Sequence, residues 1–352
     1  MNEVSKFRYV KKGFKFVLLV FVVLLALEAC KLLWWIYSPG VVIENVKNNY
    51  INIPTGSECE DVRKIIVDRG LVRNIKAFDW VAEKKNYRNF IHPGHYEVED
   101  GMSNNDLINL LRSGIQTPVN VIFNNIRSLE KLSGTIAGQI EADSSEIINL
   151  LLDENYISQF GFTHETVLGT FIPNTYEFYW NTSASGFMER MVKEYRRFWN
   201  KERKNMAEAK KLTLNQVSAL ASIVDAETVK ETEKTRIAGV YLNRLKKGIR
   251  LQADPTILFA IGDFSRNRVL KADLLVDSPY NTYRHAGLPP GPISVPSVSG
   301  IDAVLNAEDH SFLYFCARAD MSGYHHFSKS LREHNRYAQK YRQALNKLKI
   351  MN

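Results

Sequence analysis

The sequence predicts an α+β protein in three parts: an N-terminal transmembrane helix, a small α+β module and a larger α+β domain. Three observations predict this. An almost wholly apolar run fills residues 16–37; segments with two-residue and 3.6-residue apolar periods are interspersed along the rest; and glycine, proline and capping residues punctuate them. With 352 residues and 45% hydrophobic content, the chain has room for two ordinary cores beyond the apolar run. It carries no evident internal repeat or low-complexity segment.

The first element is the apolar run. Crossing the hydrocarbon core of a bilayer takes about 20 residues, and residues 16–37 are interrupted only by Glu28 and Lys31, which are spaced to pair on one helix face. Residues 1–15 carry Lys6, Arg8, Lys11, Lys12 and Lys15, while Trp34, Trp35 and Tyr37 suit the opposite interface. The expectation is therefore a single-pass helix in the cytoplasmic (inner) membrane, with residues 1–15 as a cytoplasmic tail and everything after Tyr37 outside. Two alternatives stay open. Residues 16–27 are short enough for the core of a cleaved signal peptide, though no small-x-small site follows cleanly. The LEAC sequence ending at Cys30 faintly resembles a lipoprotein processing site, in which Glu28 fits poorly. All three export the bulk of the chain.

Residues 41–115 read as the small module: a strand-like VVIENV, helices near 59–69 and 75–85, a glycine-containing HPGHYEVEDGM, and a helix capped at Ser103 that ends before Gly114. A connecting region, 116–205, follows. In it TPVNVIF alternates like a strand, Leu129, Leu132, Ile136 and Ile140 mark an amphipathic helix, and FIPNTYEFYW forms an aromatic-rich block.

The third part is residues 206–350. Thr213 and Gln216 form a capping box, followed by apolar residues at Leu214, Val217, Leu220, Ala221 and Val224. A second helix, 234–247, sets Ile237, Val240, Tyr241 and Leu245 on one face and stops at Gly248. Asp254 precedes a proline, which biases its backbone to an extended form. LYFCARAD and YHHFS flank Ser322 and Gly323 as a hairpin, and Ser330 with Glu333 forms a capping box for a last helix.

One carboxylate stands out. Glu227 falls three residues after Val224 and seven after Leu220, on the apolar stripe of its helix. A carboxyl group against apolar surface has its charged form disfavoured and its pKa raised, as a general acid near neutral pH requires. A glutamate near a helix end is more often solvated or ion-paired, so spacing alone does not assign catalysis. Asp225 points about 200° away around the axis.

Charge and cysteines narrow the chemistry. The net charge of +8 suits nucleic acid, an anionic membrane surface or a carboxylate-rich polymer. No nucleic-acid recognition motif or dense basic cluster interleaved with aromatics is present, which argues against nucleic acid. Cys30 lies in the apolar run; Cys59 and Cys316 are far apart, without metal-ligand spacing, and are expected as free thiols. No zinc, P-loop or Rossmann pattern appears, so no metal and no cofactor is expected.

Four blocks then identify a relative. LNQVSALASIVDAETVKETEKTRIAGVYLN from Leu214, RLQADPT from Arg250, SPYNTYRHAGLPPGPISVPS from Ser278 and HHFSKSLREHN from His325 resemble, in order and spacing, the endolytic murein transglycosylase family (MltG-type, YceG-like). The resemblance runs from the apolar run to near the C-terminus and is dense over the last 140 or so residues. It implies a LysM-like module at 41–115, best matched over 93–114, which holds glycan or acts as a spacer, and a catalytic domain at 206–350. It implies Glu227 as the catalytic residue, the second acidic position of the family's E-x-E element, whose first is Asp225 here rather than the usual Glu.

The implied reaction is cleavage of the β-1,4 bond between N-acetylmuramic acid (MurNAc) and N-acetylglucosamine (GlcNAc), leaving 1,6-anhydro ends. Gln252, Asp254, Tyr280, Asn281, Thr282 and Tyr283 are candidate substrate contacts, as is Tyr176 of the aromatic block, which could instead be core. His325 and His334 lie at matched positions without a catalytic assignment. Implied partners are peptidoglycan glycan strands, the membrane and cell-wall synthases beside which nascent strands end. Two other readings stay open: a water-using muramidase, with Asp254 or Asp273 as second carboxylate, and a non-catalytic peptidoglycan-binding protein.

Overall fold

The structure, a computed structural model, describes residues 3–43, 49–266 and 268–347. Helix α1 (Glu3–Tyr37) contains the apolar run, and its Lys12–Tyr37 portion, 26 residues with a mean hydropathy of 2.7, is long and apolar enough to cross a membrane. From Phe14 to Leu27 its leucines, valines and phenylalanines are exposed rather than packed into a core. Lys31 pairs with Glu28 at 3.3 Å, as their spacing predicts.

The chain divides into two compact units, residues 1–119 with 177–181 and residues 120–176 with 182–352. Beyond α1, the first unit runs β1 (Tyr50–Ile53), α2 (Cys59–Asp68), α3 (Ile75–Lys84), β2 (Gly94–Glu97) and α4 (Asn104–Ser113). β1 and β2 are antiparallel, Tyr50 opposite Glu97 and Ile53 opposite Gly94. The strand is thus YINI, not the expected VVIENV. Ile51 and Ile53 alternate into the core of this unit beside Tyr96, whereas Val41 and Val42 donate their backbone N–H groups to Met102 and Leu71 and form only an isolated bridge, Val41 with Val72. Residues 44–48 of that stretch lie outside the described residues. α4 begins as predicted, with Ser103 Oγ accepting from Asp106 N, and ends at Gly114 in the left-handed region at φ 67°.

The chain continues with β3 (Val119–Ile122) and β4 (Thr175–Phe178), each divided at the boundary of the units, and the second unit contains α5 (Leu129–Ala137), α6 (Ser144–Leu152), α7 (Glu154–Ser158), α8 (Ala184–Phe198), α9 (Lys201–Ala209), α10 (Leu214–Glu227), α11 (Glu231–Lys246), α12 (Asp254–Ile261), α13 (Val298–Leu305), the antiparallel hairpin β5 (Tyr314–Ala317) and β6 (His325–Ser328), and α14 (Leu331–Lys347). β3 and β4 form a two-stranded sheet. α10 is the axis of the core. The capping box predicted at Thr213 and Gln216 opens it, and every residue from Val217 to Val224 is buried. The sequence shows one apolar stripe; the structure buries all sides because the remaining positions are small, apart from the apolar Ile223. Ser222, for instance, donates to Ala219 O and accepts from Ile293 N. Leu220, Val224, Ile237, Tyr241, Ile301 and Val304 share this core, which joins α10 to α11 and α13.

Two local expectations are corrected. Asp254 is not extended: it is the first residue of α12, with Pro255 next, where the missing proline N–H would have had no helical acceptor. At the last helix Ser330 Oγ accepts from Glu333 N, but the Glu333 carboxylate accepts from Lys329 N, one residue before the expected cap. Cys30, Cys59 and Cys316 are free thiols.

Candidate active site

Glu227 is the last residue of α10, where the chain leaves the helix through an extended Thr228. Its Oε1 accepts a 2.6 Å hydrogen bond from Tyr241 Oη, on the neighbouring α11. Tyr241 is 1% exposed and set edge-on against Phe315 of β5, with ring centroids 5.8 Å apart. Burial pushes the Glu227 carboxyl up to about 7; the Tyr241 hydrogen bond opposes this and the negative charge of Asp254 adds to it. A carboxylic acid at the end of a rigid helix, oriented by a phenol and poised to change charge near neutrality, can both give and take a proton.

Two loops supply the surroundings. Gln252 adopts a left-handed backbone, φ 52°, uncommon outside glycine. It is held there by its N–H to Thr282 O and by Arg244 Nη2, which donates to Gln252 Oε1 at 2.7 Å. Thr282 is 2% exposed; its Oγ1 accepts from Ala253 N and shares a hydrogen bond with Thr256. Asn281 is fully buried, donating to Leu274 O and Val276 O and accepting from Tyr283 N. Tyr283 donates to the exposed Asp254 carboxylate, and burial together with that carboxylate pushes its phenol up. Tyr280 packs on Phe259 at 4.6 Å. Glu227, Asp254, Gln252 and Tyr283 thus belong to one constellation, linked through Tyr241 and Arg244, while Asn281 and Thr282 use their polar atoms to shape the loops that present it.

Asp225 has a different task. Its carboxylate accepts from Ser297 N at 2.7 Å and Ser297 Oγ at 2.8 Å, where α13 begins, and pairs with Lys234 at 2.8 Å. A Cβ on Gly300 would come within 2.5 Å of both its oxygens. The glycine is what lets this carboxylate settle onto the start of α13 and fasten the end of α10.

The residue pattern that defines the YceG-like family matches residues 51–340. The chain belongs to the YceG-like family. An endolytic murein transglycosylase of Bacillus subtilis (strain 168) is 31% identical over 307 residues, covering 83% of this chain and 84% of the relative. A protein of the same description from Streptococcus pneumoniae (strain D39) is 27% identical over 317 residues, covering 81% of this chain but 57% of the longer relative. The crystal structure of a YceG-like protein from Listeria monocytogenes matches with a TM-score of 0.55 and 29% identity, over 82% of this chain and 98% of that one.

In this YceG-like chain Tyr176 lies apart from the constellation's hydrogen bonds. It is 6% exposed, stacks on Phe123 at 5.8 Å and donates to Ile172 O four residues earlier, so its ring is a core element and not an open platform. Asp273 is held by Arg266 at 2.6 Å. His325 is paired with the buried Glu233, at 2.8 Å. Two residues escaped the sequence reading. Tyr241 was legible as one of the apolar face of its helix, and a buried phenol needs a partner for its hydroxyl, which a carboxyl three residues past an apolar stripe could provide. Arg244 carried no comparable signal, since near the end of a helix a basic residue is ordinarily read as a partner of the dipole.

Proposed function

We propose that the chain is a membrane-anchored endolytic lytic transglycosylase, a lyase that cleaves the β-1,4 bond between MurNAc and GlcNAc within peptidoglycan glycan strands. The observation that carries this is Glu227, held by Tyr241 at the end of a buried helix with its proton retained to about pH 7. The names of the relatives support the substrate and the reaction class.

Glu227 acts twice. As an acid it protonates the glycosidic oxygen while the bond from that oxygen to C1 of MurNAc breaks; as the resulting carboxylate it takes the proton of the same sugar's C6 hydroxyl while O6 bonds to C1. No water is consumed, the leaving GlcNAc gains a 4-hydroxyl, and the MurNAc end becomes a 1,6-anhydro sugar. An intramolecular nucleophile is already in place, so a second activating carboxylate is not needed. Gln252, Asp254, Tyr280 and Tyr283 contact the glycan, with Asn281 and Thr282 supporting them. The β1-α2-α3-β2 order of the first unit fits a LysM-like module that holds a glycan strand. Helix α1 anchors the protein in the inner membrane with residues 1–15 in the cytoplasm, and cleavage there ends strands as synthases extend them.

Mass spectrometry of glycan strands incubated with the full chain in detergent tests the reading. Products with 1,6-anhydro ends are expected. Reducing ends would replace it with a water-using muramidase, for which Asp254 is the available second carboxylate, and binding without products would leave a peptidoglycan-binding protein. Tyr241→Phe tests the site more finely. Removing a donor that lowers the Glu227 pKa should move the alkaline limb of the pH profile of kcat/KM upward and lower its plateau about tenfold, the cost of one hydrogen bond to a charged group. An unmoved limb would separate Tyr241 from the proton-transfer step.

A further inference from the structure

The second unit contains a cleft of about 340 Å³ that the reaction just described leaves unused. Ala226 and Thr228, the two neighbours of Glu227 in the chain, line it, and Glu227 itself does not. The charge of Lys234 in it is already taken: Lys234 is 5% exposed and bound to Asp225, Glu231 and Ser299 at 2.8–2.9 Å. Its walls are held together by Val295 N, which donates to Ile126 O at 2.7 Å.

The free chemistry is on those walls. Asn124, Asn125 and Ser294 make no side-chain hydrogen bond among the described residues, and Arg127 lies over the ring of Phe264, with no acidic partner among them. Val229, 88% exposed, stands at the mouth as an unpacked apolar side chain. The lining contains no aromatic residue. That omission identifies the occupant by contrast, because sugar rings bind on flat aromatic faces, which the half-buried Tyr280 and Tyr283 offer near Glu227 and this cleft does not. Amides, a hydroxyl, one unpaired guanidinium and a small apolar side chain instead match a short peptide ending in a carboxylate.

We infer that this cleft binds the peptide stem carried by the muramic acid residue being cleaved, with Arg127 taking a stem carboxylate and Asn124, Asn125 and Ser294 its peptide groups. The inference rests on the transglycosylase reading. The reach is feasible: a helix with its side chains is about 10 Å across, and three extended residues span about 10 Å, so a stem leaving the sugar at Glu227 passes the end of α10 and brings a carboxylate of its first residues to Arg127. The enzyme then selects strands that still bear stems.

The test compares strands bearing uncross-linked pentapeptide stems with the same strands stripped by an amidase, which leaves the lactyl carboxylate but no peptide. Full-length protein in detergent should prefer stem-bearing strands, and Arg127→Gln should reduce that preference, the ratio of the two kcat/KM values, about tenfold through KM. Val229→Asp, which sets a negative charge at the mouth, should reduce it in the same direction. Binding of the two strands is measured in parallel. Loss of stem-dependent binding in the variants without any turnover by the parent would sink the enzymatic reading and keep the cleft. Equal binding and cleavage of both strands, or a preference indifferent to both substitutions, would overturn the inference.

Discussion

Glu227→Gln is expected to lower kcat on glycan strands by roughly 10²–10⁴-fold, the range general acid–base catalysis supplies, with KM nearly unchanged. Glutamine preserves size and still accepts from Tyr241, whose 2.6 Å hydrogen bond fixes the side chain, so the loss isolates the proton and not the geometry. The effect should exceed that of any other single change in the site, because one group serves both half-reactions: without it neither the leaving oxygen is protonated nor the C6 hydroxyl deprotonated. Product release measured by mass spectrometry against the parent decides the matter. A variant within tenfold of the parent would show that another group moves the proton. Asp254, whose charge acts on Glu227, would be the first to test.

How much of this was legible in the sequence depended on the range of the interaction. The caps at Ser103 and Thr213 and the stop at Gly114 are written in residues at most three or four apart, and the structure reproduces them. The position of Glu227 on a buried helix was legible for the same reason. The strand at YINI was missed because its identity depends on pairing with Gly94–Glu97, some forty residues away, whereas Val41 and Val42 look more strand-like in isolation. Likewise Asn281 and Thr282 carry polar groups suited to a sugar, yet the fold uses those groups on Leu274, Val276, Ala253 and Thr256. Side-chain chemistry names what a residue can bind, while only tertiary contact decides which binding is already satisfied. Asp225 shows the same limit: its direction away from Glu227 followed from helix geometry, but its seat on Ser297, made possible by Gly300 across seventy residues of chain, did not.

The second large effect of Glu227→Gln is on stability, and it depends on pH. A carboxyl that ionises at about 7 when folded, against 4.5 for the unperturbed group, keeps a proton in the native state that the unfolded chain has released. Stability therefore falls as pH rises between those two values, by about 1.4 kcal/mol for each pH unit, and the loss, about 3 kcal/mol, is complete above pH 7. Glutamine has no proton to lose. The unfolding free energy of the variant minus that of the parent should accordingly grow by about 3 kcal/mol from pH 4 to pH 8, whatever constant offset the amide introduces. Urea unfolding of both full-length proteins in detergent, followed by tryptophan fluorescence, measures it; a difference that stays flat with pH would mean that Glu227 is an ordinary carboxylate and would remove the physical basis for its role as an acid. A gain in stability on removing the group that works is what a site should show when its carboxyl is buried for its chemistry, because the charged form needed for the second half-reaction is the one the surrounding core disfavours.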